Sequence, residues 1–269
     1  MQRVLMIDDD QQVSAVLGMA LEALGHKVTI SNDTENAEEI CQEVKPDLIL
    51  LDMMMPGRSG IELLKPLTQI SPDSVICMMT GLVDDDLLQK SLSAGAWNVL
   101  YKPYSLNELS ELLKLSELLS QAIRNEHPDA ERAPTELKLT WTGDQSFTAD
   151  DIAKLVNFAS ASGADSDLAN RRLPVVAAEL LLNAQSHGVH QQSDQQYALL
   201  CSIRDDAMAL DVSDTGKPFN WQSAIGDTMS SSAGGGAPGL QLVRALADSV
   251  SFSEKHKTVH AVFNLKQKA

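Results

Sequence analysis

Five short apolar runs divide the first part of the chain: VLMI (4–7), KVTIS (27–31), DLILL (47–51), VICMM (75–79) and NVLY (98–101). Segments of helical spacing separate them. Near-continuous apolar runs alternating with helices indicate parallel strands covered on both faces, so this half is expected to form a doubly wound, five-stranded parallel α/β domain. From Ser105 to Asn125, Leu106, Leu109, Leu112, Leu113, Leu119 and Ile123 keep helical spacing behind a Ser105/Glu108 capping box. At about 1.5 Å per residue such a helix spans roughly 30 Å, longer than packing on the domain requires. Either it projects toward a second domain or a partner, or it is the domain's last helix with a frayed tail.

A second pattern starts after EHPDAERAPTE (126–136), whose two prolines and dense charge mark a linker. LKLTW (137–141), YALLCSI (197–203) and ALDVS (209–213) read as strands, Thr148 to Ser160 and Arg171 to His187 as helices, and Val250 to Leu265 as a final hairpin. The expected organisation is a first domain over 1–122, a helical extension and linker over 123–136, and a second domain over 137–269.

Composition narrows the function. The net charge of −16 argues against a nucleic-acid groove binder, which needs concentrated Lys and Arg. No apolar run approaches the roughly 20 residues of a membrane span, and acidic residues follow the N-terminus too closely for a secretory signal. A cytoplasmic protein that binds neither nucleic acid nor membrane is the expectation. Cys41, Cys77 and Cys201 are too scattered for a disulfide framework and read as reduced core thiols. Up to residue 125 the chain holds 9 Lys+Arg against 19 Asp+Glu, and part of that excess is clustered carboxylate of the kind that attracts a cation.

Four of the first five runs end in a chemically capable side chain. VLMI leads to Asp8 and Asp9, DLILL to Asp52, VICMM to Thr80 and NVLY to Lys102. Open parallel sheets gather their sites at the carboxyl ends of strands, so three carboxylates, a hydroxyl and an ammonium should converge. Carboxylates so close repel one another unless a divalent ion such as Mg²⁺ sits among them. The set suits phosphoryl transfer to Asp52, with Mg²⁺ and Lys102 neutralising the phosphoryl oxygens and Thr80 donating to the product. The plainer alternative has Asp8 to Asp10 cap the first helix and Asp52 cap another.

With Asp8-Asp9, the Asp52-Met53-Met54-Met55-Pro56-Gly57 loop, Thr80-Gly81, Gly95-Ala96 and Lys102-Pro103, the stretch 1–122 resembles the receiver domain of bacterial response regulators. The resemblance implies that a sensor histidine kinase phosphorylates Asp52. It also implies that Asp8, Asp9, Asp52 and the Met54 backbone carbonyl hold Mg²⁺. One position departs: the family's aromatic switch residue, three before the lysine, is Val99.

In the second half, Glu179, Asn183 and His187 recur every four residues and would share one helix stripe. A carboxylate there could act as a base and an amide oxygen could bind Mg²⁺; a surface helix with a Glu/Asn hydrogen bond is the plain alternative. Asp214 ends a strand and can accept from an exocyclic amine such as adenine's, while Gly216 admits a flat ring. SSSAGGGAP (230–238) feeds a helix at Gly239-Leu240, an arrangement that binds phosphates but also occurs in ordinary linkers. In this order the features resemble the α/β-sandwich ATP-binding domain shared by histidine kinases, gyrases and certain chaperones. Asn-Ala-x-x-His-Gly ending at Gly188 and the final hairpin look most like the anti-sigma-factor serine kinases. The likeness implies that Asn183 holds Mg²⁺ on ATP and Asp214 reads adenine. It further implies that Gly216, Gly236, Gly239 and Leu240 shape pocket and lid, that Thr258 touches the adenine side, and that Glu179 is the general base. His127 does not read as a phosphoacceptor, because Pro128 follows it and no helical hairpin surrounds it.

Together these readings predict a response regulator, phosphorylated on Asp52, whose output is an ATP-dependent serine/threonine kinase of the anti-sigma type. Its partners would be a sensor histidine kinase and an anti-sigma-factor antagonist or sigma factor, and the long helix leans toward a homodimer. The rival is a module that binds such a partner under ATP control without transferring phosphate.

Overall fold

A computed structural model describes residues 1–124, 135–189, 192–204, 206–216, 238–253 and 257–265. The chain divides into two units, Met1–Arg124 and Asn125–Ala269. Among the described residues no helix is long and apolar enough to cross a membrane.

The first unit alternates strand and helix: β1 (Arg3–Ile7), α1 (Gln11–Ala23), β2 (Lys27–Ser31), α2 (Ala37–Val44), β3 (Leu48–Asp52), α3 (Gly60–Ile70), β4 (Val75–Thr80), α4 (Asp85–Ser93), β5 (Asn98–Tyr101) and α5 (Leu106–Arg124). All strand pairings are parallel, in the order β2-β1-β3-β4-β5. Every residue of β3 and β4 is buried, as helices on both faces require. Strand order reverses between β1 and β3, which places the residues following these two strands beside the crevice where open α/β sheets build sites.

The long helix α5 exposes Leu106 in its first turn and is packed from Leu109 onward. Its buried positions run from Leu109 through Leu112, Leu115 and Leu119 to Ala122 and Ile123, and Gln2 donates to the Ser116 hydroxyl at 3.0 Å. Of the two alternatives for this helix, the structure therefore supports the domain's own last helix, without an unpacked projection up to Arg124. Its end is fastened by Asp47, which precedes β3. The Asp47 carboxylate accepts from the Arg3 backbone at 2.7 Å, from the Arg3 guanidinium at 3.0 Å and from the Arg124 guanidinium.

The second unit contains β6 (Glu136–Thr142), α6 (Ala149–Ala161), α7 (Leu173–Asn183), β7 (Gln196–Arg204), β8 (Ala207–Asp214), α8 (Pro238–Leu246), β9 (Ser249–Ser253) and β10 (Thr258–Asn264). Its strands form one antiparallel sheet in the order β6-β7-β8-β10-β9. Leu199, Cys201, Leu210, Val212, Val259, Ala261 and Phe263 share the buried face. Thr148 starts α6 with a capping box completed by Asp151.

The helix α7 is apolar almost all round: Leu173 to Ala178, Leu180 and Leu181 are buried. Such a helix belongs in a core, so the plain reading of Glu179 and Asn183 as features of a surface helix does not hold. Single π-helical turns flank it, Leu168–Arg172 before and Ala184–Gly188 after. A π turn advances by more than four residues, so His187 loses register with Glu179 and Asn183, and its side chain is exposed. Arg172 ties α7 to the far end of α8, its Nε donating to the Leu246 carbonyl at 2.9 Å while its guanidinium lies over the Phe263 ring.

Candidate functional site

In the first unit the carboxyl ends of β1, β3 and β5 bring Asp8, Asp52 and Lys102 into one network. Lys102 Nζ donates to Asp8 at 2.9 Å and to Asp52 at 2.5 Å. Both acids are almost wholly buried, at 1% and 6% exposure, so the ammonium between them is what makes two buried carboxylates tolerable. The second Asp52 oxygen accepts from the Met54 backbone N–H at 2.7 Å. Asp8 also accepts from the Asp10 backbone N–H at 2.9 Å.

Burial, helped by the Asp8 charge, raises the Asp52 carboxyl above its ordinary range despite Lys102 and the Met54 N–H. Burial works in the opposite sense on Lys102, but its hydrogen bonds to Asp52 and Asp8 outweigh that, and its ammonium is held above the usual range. Thr80, 2% exposed, ends β4 and accepts from the Leu82 backbone N–H at 3.0 Å. In the loop after Asp52, Met54 is 66% exposed while Met53 and Met55 are buried.

Not every predicted member joins this network. Asp9 is exposed, and Asp10 caps α1 by accepting from Gln12 and Val13. The helix-cap alternative is thus correct for Asp10 and not for Asp8 or Asp52. Among the described residues no three His, Cys, Asp or Glu side chains are arranged to hold a metal ion. The acidic donors that do meet are Asp8 and Asp52, and a hard cation there would take two carboxylates plus backbone or solvent oxygens, a donor set that suits Mg²⁺. Val99 is buried on β5 beside Met78. Tyr101 pairs with Thr80 on the neighbouring strand, and its hydroxyl is buried without a partner among the described residues.

The second unit gathers its polar groups differently. Glu179 and Asn183 sit one turn apart on the buried helix α7. The Asn183 amide nitrogen is buried and has no hydrogen-bond partner among the described residues, a costly state that a ligand oxygen would relieve. Asp214, at the end of β8, accepts from the Gly216 N–H at 2.9 Å. Its carboxylate lies so close to Gly188 that a Cβ there would stand 2.5 Å from the carboxyl carbon. A Cβ on Gly216 would collide with the Gly188 carbonyl, and one on Gly239 with the Glu179 carboxylate. Three glycines thus let the turn after α7, the end of β8 and the first turn of α8 close around Glu179 and Asp214.

Leu240 is buried beneath this turn of α8, and Thr258 is half-buried at the start of β10. Gly236 lies outside the described residues. One participant escaped the sequence reading. Lys257, at a left-handed φ of 46°, donates from Nζ to the Gly216 carbonyl, and its own carbonyl accepts from the Asp214 N–H at 3.3 Å. A lysine beside a hairpin gives no sequence signal of that role. The orphaned Asn183 N–H, the backbone clearances and the Asp214 carboxylate suit an adenine nucleotide, whose phosphate oxygens accept and whose exocyclic amine donates.

Residues 4–114 match the family model described as the response regulator receiver domain, and residues 149–263 match that of the histidine kinase-like ATPase domain. Over 136 residues the chain is 34% identical to the phosphate regulon transcriptional regulatory protein PhoB of Pseudomonas aeruginosa, a match covering 50% of this chain and 57% of that protein. It is 30% identical to the response regulator protein PilR of the same organism, covering 51% of this chain and 30% of that one. The sporulation initiation phosphotransferase F of Bacillus subtilis is 29% identical, with 42% of this chain and 91% of that protein covered. The chain therefore spans well under two thirds of the length of the first two. It joins an N-terminal receiver domain to a C-terminal histidine kinase-like ATPase domain, an arrangement consistent with two-component signalling.

Proposed function

We propose that the receiver domain accepts a phosphoryl group on Asp52 from a sensor histidine kinase, and that this controls an ATP-dependent serine/threonine kinase of the anti-sigma-factor type in the second unit. In the first step an Asp52 oxygen attacks the phosphorus, the donor's imidazole leaves, and Lys102 offsets the charge on the phosphoryl oxygens. Mg²⁺ held by Asp8, Asp52, the Met54 carbonyl and solvent oxygens, with Asp9 at the exposed rim, would add to that neutralisation. Thr80 turns its hydroxyl from the Leu82 N–H toward the product.

In the second unit, Asp214 accepts from the adenine amine with Thr258 beside it. Gly216, Gly236, Gly239 and Leu240 shape the pocket and its lid, and Asn183 holds the metal on the phosphates. Glu179 takes the proton from a serine hydroxyl on an anti-sigma-factor antagonist as its oxygen attacks the γ-phosphorus and ADP leaves. The observation that carries this reading is the position of the Glu179 carboxylate. It lies against Gly239, at the helix end where phosphate would bind, one turn from Asn183.

Labelled ATP and candidate antagonists, with and without a small phosphodonor that loads Asp52, test the proposal. Acid-stable phosphoserine is expected on the antagonist, and Glu179→Ala should abolish it while ATP still binds. Transfer by Glu179→Ala at the parent's rate would remove the base assignment. Bound ATP without any transfer would favour a module that sequesters an antagonist or sigma factor under nucleotide control.

A further inference from the structure

Resting on the nucleotide reading of the second unit, we infer that Lys257 is a positioning residue that clamps the Asp214-Thr215-Gly216 turn and so sets the selectivity of the pocket for adenine. Three observations lead there. Lys257 adopts φ 46°, a left-handed conformation that costs a residue with a Cβ about 1 kcal/mol and costs glycine almost nothing. It grips the turn at both ends, its carbonyl taking the Asp214 N–H at 3.3 Å and its ammonium reaching the Gly216 carbonyl. The turn has no slack: Gly216 passes so close to the Gly188 carbonyl that a Cβ would not fit, and the Asp214 carboxylate is braced by the Gly216 N–H at 2.9 Å.

A strained backbone at a site is a reason to look for a role, and here the role is geometric. Asp214 can meet an exocyclic amine only if its carboxylate is aimed, and the aim depends on the Asp214-to-Gly216 backbone. Lys257 reaches that backbone from the opposite hairpin, between β9 and β10. A guanine ring presents a carbonyl where adenine presents the amine, so an aimed carboxylate attracts one and repels the other.

Lys257→Gly isolates the ammonium, because glycine keeps φ 46° without strain and retains the backbone bond to Asp214. Calorimetric titration of the full chain with Mg-ATP and Mg-GTP should give about tenfold weaker ATP binding for Lys257→Gly and little change for GTP, so that the ATP:GTP preference falls about tenfold. Lys257→Arg, which keeps a donor, should stay within about threefold of the parent. Equal losses for the two nucleotides would mean that Lys257 merely attracts phosphate, and an unchanged ATP affinity would mean that the clamp does not matter; either overturns the inference. A thermal melt without nucleotide separates loss of folding from loss of aim: a large drop in melting temperature with an unaltered preference also overturns it. If the parent itself binds no ATP, the nucleotide reading fails first, and that result is distinguishable from a selective loss in the variant.

Discussion

The two units surround their acidic groups with different neighbours. In the receiver, Asp8 and Asp52 are buried together and made tolerable by a third side chain, Lys102, which touches both. In the ATPase unit, Gly239 and Gly188 leave the room that the half-buried Glu179 and Asp214 carboxylates occupy. The first site is an electrostatic network within one unit, the second a set of close backbone clearances with an Asn183 N–H that has no partner among the described residues. Charge substitutions should therefore dominate in one unit and added bulk in the other.

The largest effect is expected at Asp52, the proposed phosphoacceptor. Asp52→Asn should reduce labelling by a small-molecule phosphodonor to background on phosphate-affinity gels. Residual labelling at the parent's level would place the acceptor elsewhere and undo the contrast. Next comes Gly216→Ala, a one-carbon change that drives a methyl into the Gly188 carbonyl. Titration with Mg-ATP should show at least about a hundredfold loss of affinity, the equivalent of about 2.7 kcal/mol. Near-parent binding would show that the second pocket does not depend on backbone clearance.

A third effect tests charge pairing away from either pocket. Burial would raise the Asp47 carboxyl, but hydrogen bonds from Arg3 and Arg124 outweigh it and hold it below its ordinary value of 3.8. A depressed carboxyl contributes stability that is present above pH 3.8 and is lost as pH falls through the depressed value. Asp47→Asn should cost about 1 to 3 kcal/mol at neutral pH, and denaturant melts should show the gap closing on acidification below that point. A gap independent of pH would mean that packing, not charge, holds the end of α5.

The smallest effect has the opposite sign. Because the Asp52 carboxyl is raised, the folded state holds its proton more tightly than the unfolded chain, and ionisation at neutral pH opposes folding. Asp52→Asn should stabilise the protein slightly at neutral pH, the gain vanishing below the ordinary carboxylate value. A loss of stability there would mean that the Lys102 pair outweighs the burial of Asp52.

Much of the receiver was readable because its signals are local and additive. Each buried strand is a continuous apolar run, and Asp8, Asp52 and Lys102 each follow or close one, so a rule about strand ends sufficed to assemble them, with Thr80 at the end of β4. Asp9 and Asp10 show the limit: neighbouring acids look alike in sequence, while the turn after β1 sends one inward, one to solvent and one to cap α1. In the second unit the helix holding Glu179 and Asn183 was visible, but its burial was not. A four-residue stripe reads the same on a surface as in a core, and the π turn that removes His187 from it leaves no periodic trace. Gly188 carries no signal of its own either, because its service to Asp214 depends on contacts 26 positions apart. Lys257 needed its backbone angle to be noticed at all.

One strand, β3, has an acid at each end. Asp47 holds the helix on which the described part of the receiver ends, and Asp52 lies five residues on, about 17 Å away along an extended chain. The strand between them is wholly buried and hydrogen-bonded on both sides, a poor spring. Movement of the last turn of α5 away from β3 would have to break the Asp47 contact or carry Asp47 with it.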